Sequence, residues 1–200
     1  MGFIEGDRLP QVSRWIFITG SRKNTPESLK IVRQSVANIM KDGGAIVVGA
    51  GDGADVAAIK EALIHDPKGD RLKVFLVSDM PSYRASRVNK LSDPNTPVEQ
   101  ITSIYELIET LDRVAQLKDT VQVTKRVPDE GEDPTVKYDT LNVEMVNYVL
   151  ANPGLEKPIT LFFRYGSARG TNAAIESASR QLDGRVFDGL DPKQNPYYPQ

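Results

Sequence analysis

The stretch that decides the fold reads AIVVGAGDGADVAAI, residues 45–59. Its first four residues are apolar and continuous, which is typical of a strand buried in a parallel sheet. A glycine-rich loop, GAGDG (49–53), follows at once. The remaining apolar residues have the spacing of a buried helix, which we predict over 54–64. A strand that ends in a glycine turn and continues into a helix is the building unit of an α/β fold.

The preceding and following segments repeat this unit. WIFITGSR (15–22) predicts a first strand that ends in another glycine turn. Thr25 and Pro26 are typical of a helix start, and apolar residues at helical spacing continue up to Gly43. VFLV (74–77) predicts a third strand. We therefore expect an α/β fold whose parallel sheet is covered by helices.

The rest of the chain predicts further elements of the same kind. Residues 80–96 contain two prolines and mixed polarity, so we expect a long loop there. The other predicted elements are a helix over 98–117, a strand over 121–123, a proline-bounded acidic loop over 128–134, a helix over 138–151, a strand over 158–163, a helix over 172–181 and an irregular tail over 188–200. We expect one domain over residues 1–200, with a variable insertion at about 80–136.

The composition excludes several kinds of chemistry. The 200 residues include no cysteine and one histidine, His65, so a thiol nucleophile, a cysteine zinc site and a multi-histidine metal centre are excluded. We predict neither a metal nor a cofactor. The formal net charge of −2 argues against a broad surface for nucleic acid. His65 ends a predicted helix, where a cation would complement the helix dipole.

Hydropathy gives expectations about the cell compartment. No apolar run approaches the roughly 20 residues that a membrane-spanning helix needs. Residues 1–10 lack the apolar segment of a signal peptide. We therefore expect a cytoplasmic protein with no membrane partner.

Three predicted strands run into glycine turns that precede helices, at 20–22, 49–53 and 166–171. The carboxyl ends of parallel strands meet at one edge of the sheet, where open α/β sheets bind ligands. Free backbone N–H groups and positive helix ends at such turns bind phosphate. The turns also supply hydroxyl and guanidinium donors: Ser21, Ser167, Thr171, Arg22 and Arg169. We therefore predict an anionic ligand at this edge.

Four segments resemble the SLOG superfamily, which includes the LOG-type phosphoribohydrolases and the core of DNA-processing protein A. FITGSR (17–22) and VGAGDGADVAAIKEA (48–62) resemble its N-terminal signature. YDTLNVEMV (138–146) and GTNAAI (170–175) resemble an uncharacterised SLOG-like branch. The resemblance covers about residues 15–182. It implies a Rossmann-like three-layer α/β/α fold with a mainly parallel central sheet, and a homo-oligomer.

The resemblance also implies which residues bind the ligand. They are Gly20, Ser21, Arg22, Gly49, Ala50, Gly51, Asp52, Gly53, Asp55, Asn142, Gly166, Ser167, Arg169, Gly170, Thr171 and Asn172. A carboxylate near the anomeric carbon would stabilise the charge that develops when an N-glycosidic bond breaks. The candidates are Asp55, Glu144 and Glu176. Asp55 could instead bind free N–H groups at its helix start, and both glutamates could be solvated helix positions.

Three functions remain open. The first is a sensor or sponge that binds a nucleotide or a nucleotide-derived ligand without turning it over. The second is a nucleoside-monophosphate phosphoribohydrolase of the LOG type. It is weakened because the motif's glutamate position holds Ala174 here. The third, single-stranded DNA binding, ranks last, since the chain has an acidic balance and no run of basic residues.

One cluster in the predicted 80–96 loop combines an aromatic residue with basic ones. Its members are Tyr83, Arg84, Arg87 and Lys90. Two interpretations remain open: the cluster caps the ligand-binding edge, or it belongs to a solvated loop. The second is slightly favoured.

Overall fold

A computed structural model describes residues 11–124, 136–152, 154–165 and 169–199 of the chain. Within these residues, six parallel strands form one sheet in the order β4-β3-β2-β1-β5-β6. The strands are β1 (Trp15–Gly20), β2 (Ala45–Val48), β3 (Leu72–Leu76), β4 (Val121–Val123), β5 (Ile159–Phe163) and β6 (Val186–Asp188). The parallel sheet predicted from the glycine-bounded strands is confirmed.

Helices cover both faces of the sheet. The helices are α1 (Pro26–Lys41), α2 (Ala54–His65), α3 (Met80–Leu91), α4 (Val98–Val114), α5 (Val136–Ala151) and α6 (Arg169–Gln181). One core packs α1 to α4 on the first face, and a second core packs α5 and α6 on the other. The fold is therefore a Rossmann-like three-layer α/β/α fold, as predicted.

The strand order reverses beside β1, and this reversal positions the functional edge. β1 lies between β2 and β5, with Ile18 opposite both Val48 and Leu161. The next strand after β2 lies further out on the same side, whereas β5 lies on the opposite side of β1. The turns after β1 and β5 therefore run in opposite directions from the point where the strand order reverses. Open α/β sheets have a crevice for ligands at such a point.

The predicted loop over 80–96 is wrong over most of its length, because Met80–Leu91 forms helix α3. Asp79 caps this helix, and its Oδ1 accepts a hydrogen bond from the Ser82 backbone N–H at 2.9 Å. Pro81 lies in the first turn of the helix. The N–H groups of a first turn have no acceptor within the helix, so a proline there removes no helical hydrogen bond. The proline that favoured a loop is thus part of a helix start.

The C-terminal segment contains one strand that the sequence did not predict. β6 pairs with β5 at the sheet edge through Val186–Asp188, next to the predicted irregular tail. The described tail packs back on the body, where the Asn195 amide donates to Ser35 Oγ at 2.9 Å. The acidic loop predicted over 128–134 lies outside the described residues. No helix of the described part of the chain is long and apolar enough to span a membrane.

Candidate functional site

A cavity of about 860 Å³ lies at the carboxyl edge of the sheet. It is lined by the turns after β1 and β2, by the start of α6, and by residues of α3 and α5. Eleven of the predicted ligand-binding residues line it: Gly20, Ser21, Arg22, Gly49, Ala50, Gly51, Asp52, Asp55, Asn142, Gly170 and Thr171. The fold thus brings the separate glycine turns to one concave surface.

The turn after β2 is built around the carboxylate of Asp55. Asp55 Oδ2 accepts a hydrogen bond from the Gly51 backbone N–H at 2.9 Å. A Cβ atom at Gly49 or at Gly51 would lie 3.0 Å from the same oxygen. A side chain at either position would therefore press on the Asp55 carboxylate, which would have to shift by a few tenths of an ångström.

Two further predicted glycines hold the turns against each other. A Cβ atom at Gly20 would lie 2.3 Å from the Ala54 Cβ, so the end of β1 contacts the start of α2 directly. Gly53 has a φ of +79° and lies against the carbonyl oxygens of Ser21 and Arg22. Gly53 does not line the cavity, which makes its contribution structural.

Asp55 has an unusual protonation equilibrium. Burial raises its pKa to about 7, against the lowering effects of the Gly51 N–H and the Arg22 charge, and the charge of Asp52 raises it further. Asp55 Oδ1 is shielded from solvent and accepts no hydrogen bond from a described residue. A carboxyl group that ionises near neutral pH in a cavity is typical of a functional site.

Asp52, in the same turn, is more deeply buried. Its exposed fraction is 3 %. Neither of its carboxylate oxygens accepts a hydrogen bond from a residue that the structure describes. Burying a polar group without a partner costs folding free energy, so this arrangement favours a ligand that supplies the missing donors.

The turn after β1 combines a structural hydroxyl with two cations. Ser21 Oγ accepts from the Tyr165 N–H at 2.8 Å and donates to the Tyr165 carbonyl oxygen at 3.2 Å. This hydroxyl therefore ties the β1 turn to the β5 turn. The next two residues, Arg22 and Lys23, are exposed and line the cavity.

The predicted site residues after β5 are only partly described. Gly166, Ser167 and the side chain of Arg169 lie outside the described residues. Thr171, in the first turn of α6, is buried and lines the cavity. Asn172 does not line it, and its Oδ1 instead accepts a hydrogen bond from Arg164 Nη1 at 3.1 Å.

Of the three candidate catalytic carboxylates, Asp55 lines the cavity and the other two do not. The Glu176 side chain is 69 % exposed and lies 3.6 Å from Arg180 on the same helix. Glu144 lies on α5, half-buried and outside the cavity lining. In the described ranges, no group of three or more histidine, cysteine, aspartate or glutamate side chains is arranged to hold a metal ion.

Helix α3 contributes two cavity residues, Tyr83 and Arg87, for which a solvated loop was slightly favoured. Both side chains are buried. The Tyr83 hydroxyl donates to the Ala50 carbonyl oxygen and accepts a hydrogen bond from Arg87 Nη2. The guanidinium lies 4.6 Å from the Tyr83 ring centroid. Burial raises the pKa of Tyr83 to about 12, so its hydroxyl stays protonated and keeps its donor role.

The sequence contained a signal for this pair. Tyr83 and Arg87 are four residues apart, which places them on one face once residues 80–91 are recognised as a helix. Arg84 points elsewhere and forms a two-pronged ion pair with Asp112 on α4. α3 therefore presents one basic residue to the cavity and another to its neighbouring helix.

Charges of both signs line the cavity together with aromatic rings. The cations are Arg22, Lys23 and Arg87, and the carboxylates are Asp52, Asp55 and Asp139. Phe75, Tyr138 and Tyr165 add apolar ring surface. Such a surface suits a ligand that has an anionic part, several hydrogen-bond donors and a flat ring.

No family model matches the chain, and no curated protein matches it in sequence. Among solved structures, the chain is similar to DNA processing protein A from Helicobacter pylori, which has a single-stranded DNA binding mode of its own. The TM-score is 0.56 at 13 % identity, and the match covers 92 % of this chain and 73 % of the other. The similarity shows a shared Rossmann-like fold.

Proposed function

We propose that the protein binds a nucleotide or a nucleotide-derived ligand in the cavity at the carboxyl edge of its sheet, as a sensor or sponge of the SLOG kind. The observation that supports this most is the convergence of two glycine turns and a helix start on one cavity of nucleotide size. Ligand pockets typically have volumes of roughly 300–1,000 Å³. At about 860 Å³, this cavity lies inside that range.

The phosphate would lie between the β1 turn and the start of α6. Gly20 lines the cavity there, Arg22 and Lys23 supply positive charge, and Thr171 lies at the positive end of the α6 dipole. Arg22 can bind two phosphate oxygens at once through its planar guanidinium. The carboxylates of the β2 turn, Asp52 and Asp55, repel a phosphate group near that turn. The ligand therefore has one preferred orientation in the cavity, with its phosphate away from the β2 turn.

The base would lie against the aromatic wall. Phe75, Tyr138 and Tyr165 line the cavity beside its polar turns. Stacking of a base on an aromatic side chain contributes about 1–3 kcal/mol and tolerates any base. This wall therefore supports binding of a nucleotide without selecting one base.

The binding test is a thermal shift and calorimetry panel of AMP, ADP-ribose, NAD and cyclic dinucleotides. A ligand that binds the folded state raises the melting temperature by mass action. Arg22→Gln should weaken binding by roughly 10-fold or more, since a charge-assisted hydrogen bond contributes about 1.5–3 kcal/mol. The matched control is Lys30→Gln, an exposed lysine on α1 outside the cavity. The absence of binding by every member of the panel would overturn the proposal.

A phosphoribohydrolase activity is the second candidate, and Asp55 is the observation that favours it. A carboxyl with a pKa of about 7 can exchange a proton with water at neutral pH. In this reaction water attacks the anomeric carbon of the ribose, the glycosidic C–N bond breaks, and the base leaves with a proton. Chromatography of each incubated ligand distinguishes the two functions: an intact nucleotide supports the sensor, and free base with ribose phosphate supports the hydrolase. Base release should be lost in Asp55→Ala.

Single-stranded DNA binding is tested separately, because the structural neighbour binds single-stranded DNA. That neighbour does not support our expectation that nucleic acid is an unlikely partner. In a gel shift at low salt, retardation of an oligonucleotide that AMP does not displace would favour DNA over a free nucleotide. The absence of retardation would remove this function.

A further inference from the structure

Asp52 and Arg87 are two buried charged groups that face the same cavity without bonding to each other. Asp52 is 3 % exposed and Arg87 is 2 % exposed, and both line the cavity. Neither Asp52 oxygen accepts a hydrogen bond from a described residue, and the Arg87 Nε donates none. The two charges lie close enough to interact electrostatically. Each has therefore lost water without gaining a full set of partners, which is costly unless a ligand supplies them.

Arg87 is held in place by Tyr83. Its Nη2 donates to the Tyr83 hydroxyl, which in turn donates to the carbonyl oxygen of Ala50 in the β2 turn. The guanidinium also lies over the Tyr83 ring at 4.6 Å. The position of Arg87 relative to Asp52 is thus fixed by a chain of contacts from α3 to the β2 turn.

The unsatisfied atoms define what the ligand must offer. An ionised aspartate is an acceptor only, and arginine is a donor only. A group that bonds to both must donate to Asp52 and accept from Arg87, and a hydroxyl does both. Two neighbouring hydroxyls can donate to both Asp52 oxygens while a lone pair accepts from Arg87. A phosphate at this position would be repelled by Asp52 and Asp55.

We propose that Asp52 and Arg87 bind the vicinal 2′- and 3′-hydroxyls of a ribose, with Tyr83 as their positioning residue. The proposal rests on the nucleotide-binding function above and narrows it to free ribonucleotides. A DNA strand lacks the 2′-hydroxyl and has its 3′-oxygen in a phosphodiester. The same pair of residues would therefore discriminate against DNA as well as against deoxynucleotides.

The test compares ligands that differ only in the diol. Calorimetry measures binding of the four ribonucleoside 5′-monophosphates, their 2′-deoxy forms, ribose 5-phosphate and 2-deoxyribose 5-phosphate. The wild type should bind ribo forms about 10- to 100-fold more tightly, as expected for hydrogen bonds to charged groups. Asp52→Asn and Arg87→Gln should each lower ribo affinity towards the deoxy value and change deoxy affinity by less than about threefold.

Controls separate recognition from folding. Arg84→Gln changes an arginine on the same helix that pairs with Asp112 instead of lining the cavity, and it should keep the full preference. Tyr83→Phe should reduce the preference for ribo over deoxy ligands, because Arg87 is still present but loses the hydroxyl that positions it. The melting temperature of each variant is measured without ligand. The wild-type comparison needs no variant, so it tests the proposal even if Arg87→Gln fails to fold.

The outcomes also separate this proposal from the one on which it rests. Nucleotides that bind with equal affinity in ribo and deoxy forms would overturn diol recognition and leave nucleotide binding intact. A ribo preference that survives both Asp52→Asn and Arg87→Gln would overturn the assignment to these residues. Ribose 5-phosphate binding with a diol preference, while no nucleotide binds, would support the diol site and overturn the nucleotide function. No binding of any of these ligands would overturn diol recognition, and a further lack of binding by ADP-ribose, NAD and the cyclic dinucleotides would overturn the nucleotide function as well.

Discussion

The Tyr83 hydroxyl on α3 donates a hydrogen bond to the carbonyl oxygen of Ala50 in the glycine turn after β2. This contact joins the segment that we expected to be a variable insertion to the centre of the candidate site. The same hydroxyl accepts a hydrogen bond from Arg87, which also lines the cavity. Helix α3, which lies in that segment, therefore contributes two residues to the lining of the cavity.

Removing the Tyr83 hydroxyl should destabilise the protein. In Tyr83→Phe the Ala50 carbonyl oxygen loses its donor and Arg87 loses an acceptor, and both groups are buried. Leaving buried polar groups without partners costs about 1–3 kcal/mol. Chemical denaturation should show a loss in that range. Tyr105→Phe is the matched control, because Tyr105 is 60 % exposed, and its unfolding free energy should hardly change. Equal stabilities for the two variants would contradict the contact.

Gly20→Ala should be strongly destabilising. The new Cβ would lie 2.3 Å from the Ala54 Cβ and 3.0 Å from the Phe163 carbonyl oxygen, so α2 or β5 must shift. Overpacking of this kind costs about 1–3 kcal/mol or more. Gly170→Ala is the control, since no atom of a described residue beyond its chain neighbours and its own helix backbone lies within 4 Å of its added Cβ, and it should leave the melting temperature unchanged or slightly higher. A Gly20→Ala protein as stable as Gly170→Ala would disprove the close packing of β1 on α2.

Asp55 should make stability fall as the pH rises. Its pKa is about 7 in the folded protein against 3.8 in the absence of structure, so the folded state binds more protons between these two values. The unfolding free energy therefore decreases across this window and stays low above it. With allowance for solvent screening in an open cavity, the loss should be roughly 2 kcal/mol. Arg22 and Asp52 are the charged groups that act on Asp55.

The measurement is urea denaturation of the wild type and Asp55→Asn at several pH values. Asparagine can still accept a hydrogen bond from the Gly51 N–H, so Asp55→Asn should be more stable than the wild type at about pH 8. The difference in unfolding free energy between the two proteins should decrease as the pH falls through 7 towards about 4. Glu176→Gln, at a carboxylate 69 % exposed, should follow the wild-type profile. A difference in unfolding free energy that does not change with pH would show that the pKa of Asp55 is not raised in the folded protein.

The C-terminal segment should contribute to stability through Asn195. Its amide donates to Ser35 Oγ at 2.9 Å and to the Gly189 carbonyl oxygen at 2.8 Å, and its Oδ1 accepts from the Tyr197 N–H. Asn195→Ala removes all three bonds at a buried position and should cost about 2 kcal/mol by thermal or chemical unfolding. Lys193→Ala, two residues away and exposed, should be neutral. A neutral Asn195→Ala would show that the segment does not dock in solution.

The strands and helices that could be predicted share one property: their pattern is local. β1 and β2 are continuous apolar runs bounded by glycine, and α1 is preceded by the N-cap Thr25, whose Oγ1 accepts a hydrogen bond from the Ser28 N–H. α3 was missed because its hydrophobic pattern is weak and Pro81 favoured a loop. β6 was missed because three half-buried residues have no pattern of their own and depend on pairing with β5.

The cavity could be predicted only in part. The glycine turns after β1 and β2 do line it, because parallel strands place their carboxyl ends at one edge. The sequence did not distinguish the glycines that line the cavity from Gly53, which lies outside the lining and is needed for a positive φ and contact with the β1 turn. It also ranked Glu144 and Glu176 beside Asp55, although neither lines the cavity.

The sequence by itself determined the α/β class, the parallel sheet and the edge at which its glycine turns meet, since each depends on a local pattern and on a general rule of parallel sheets. Only the tertiary structure decided which charged side chains are buried and which of them line the same cavity. Asp52 and Arg87 are 35 positions apart in the chain. Both side chains are buried in the folded protein, where α3 contacts the β2 turn through Tyr83. Burial and pairing are properties of contacts between distant segments, so no local pattern carries them.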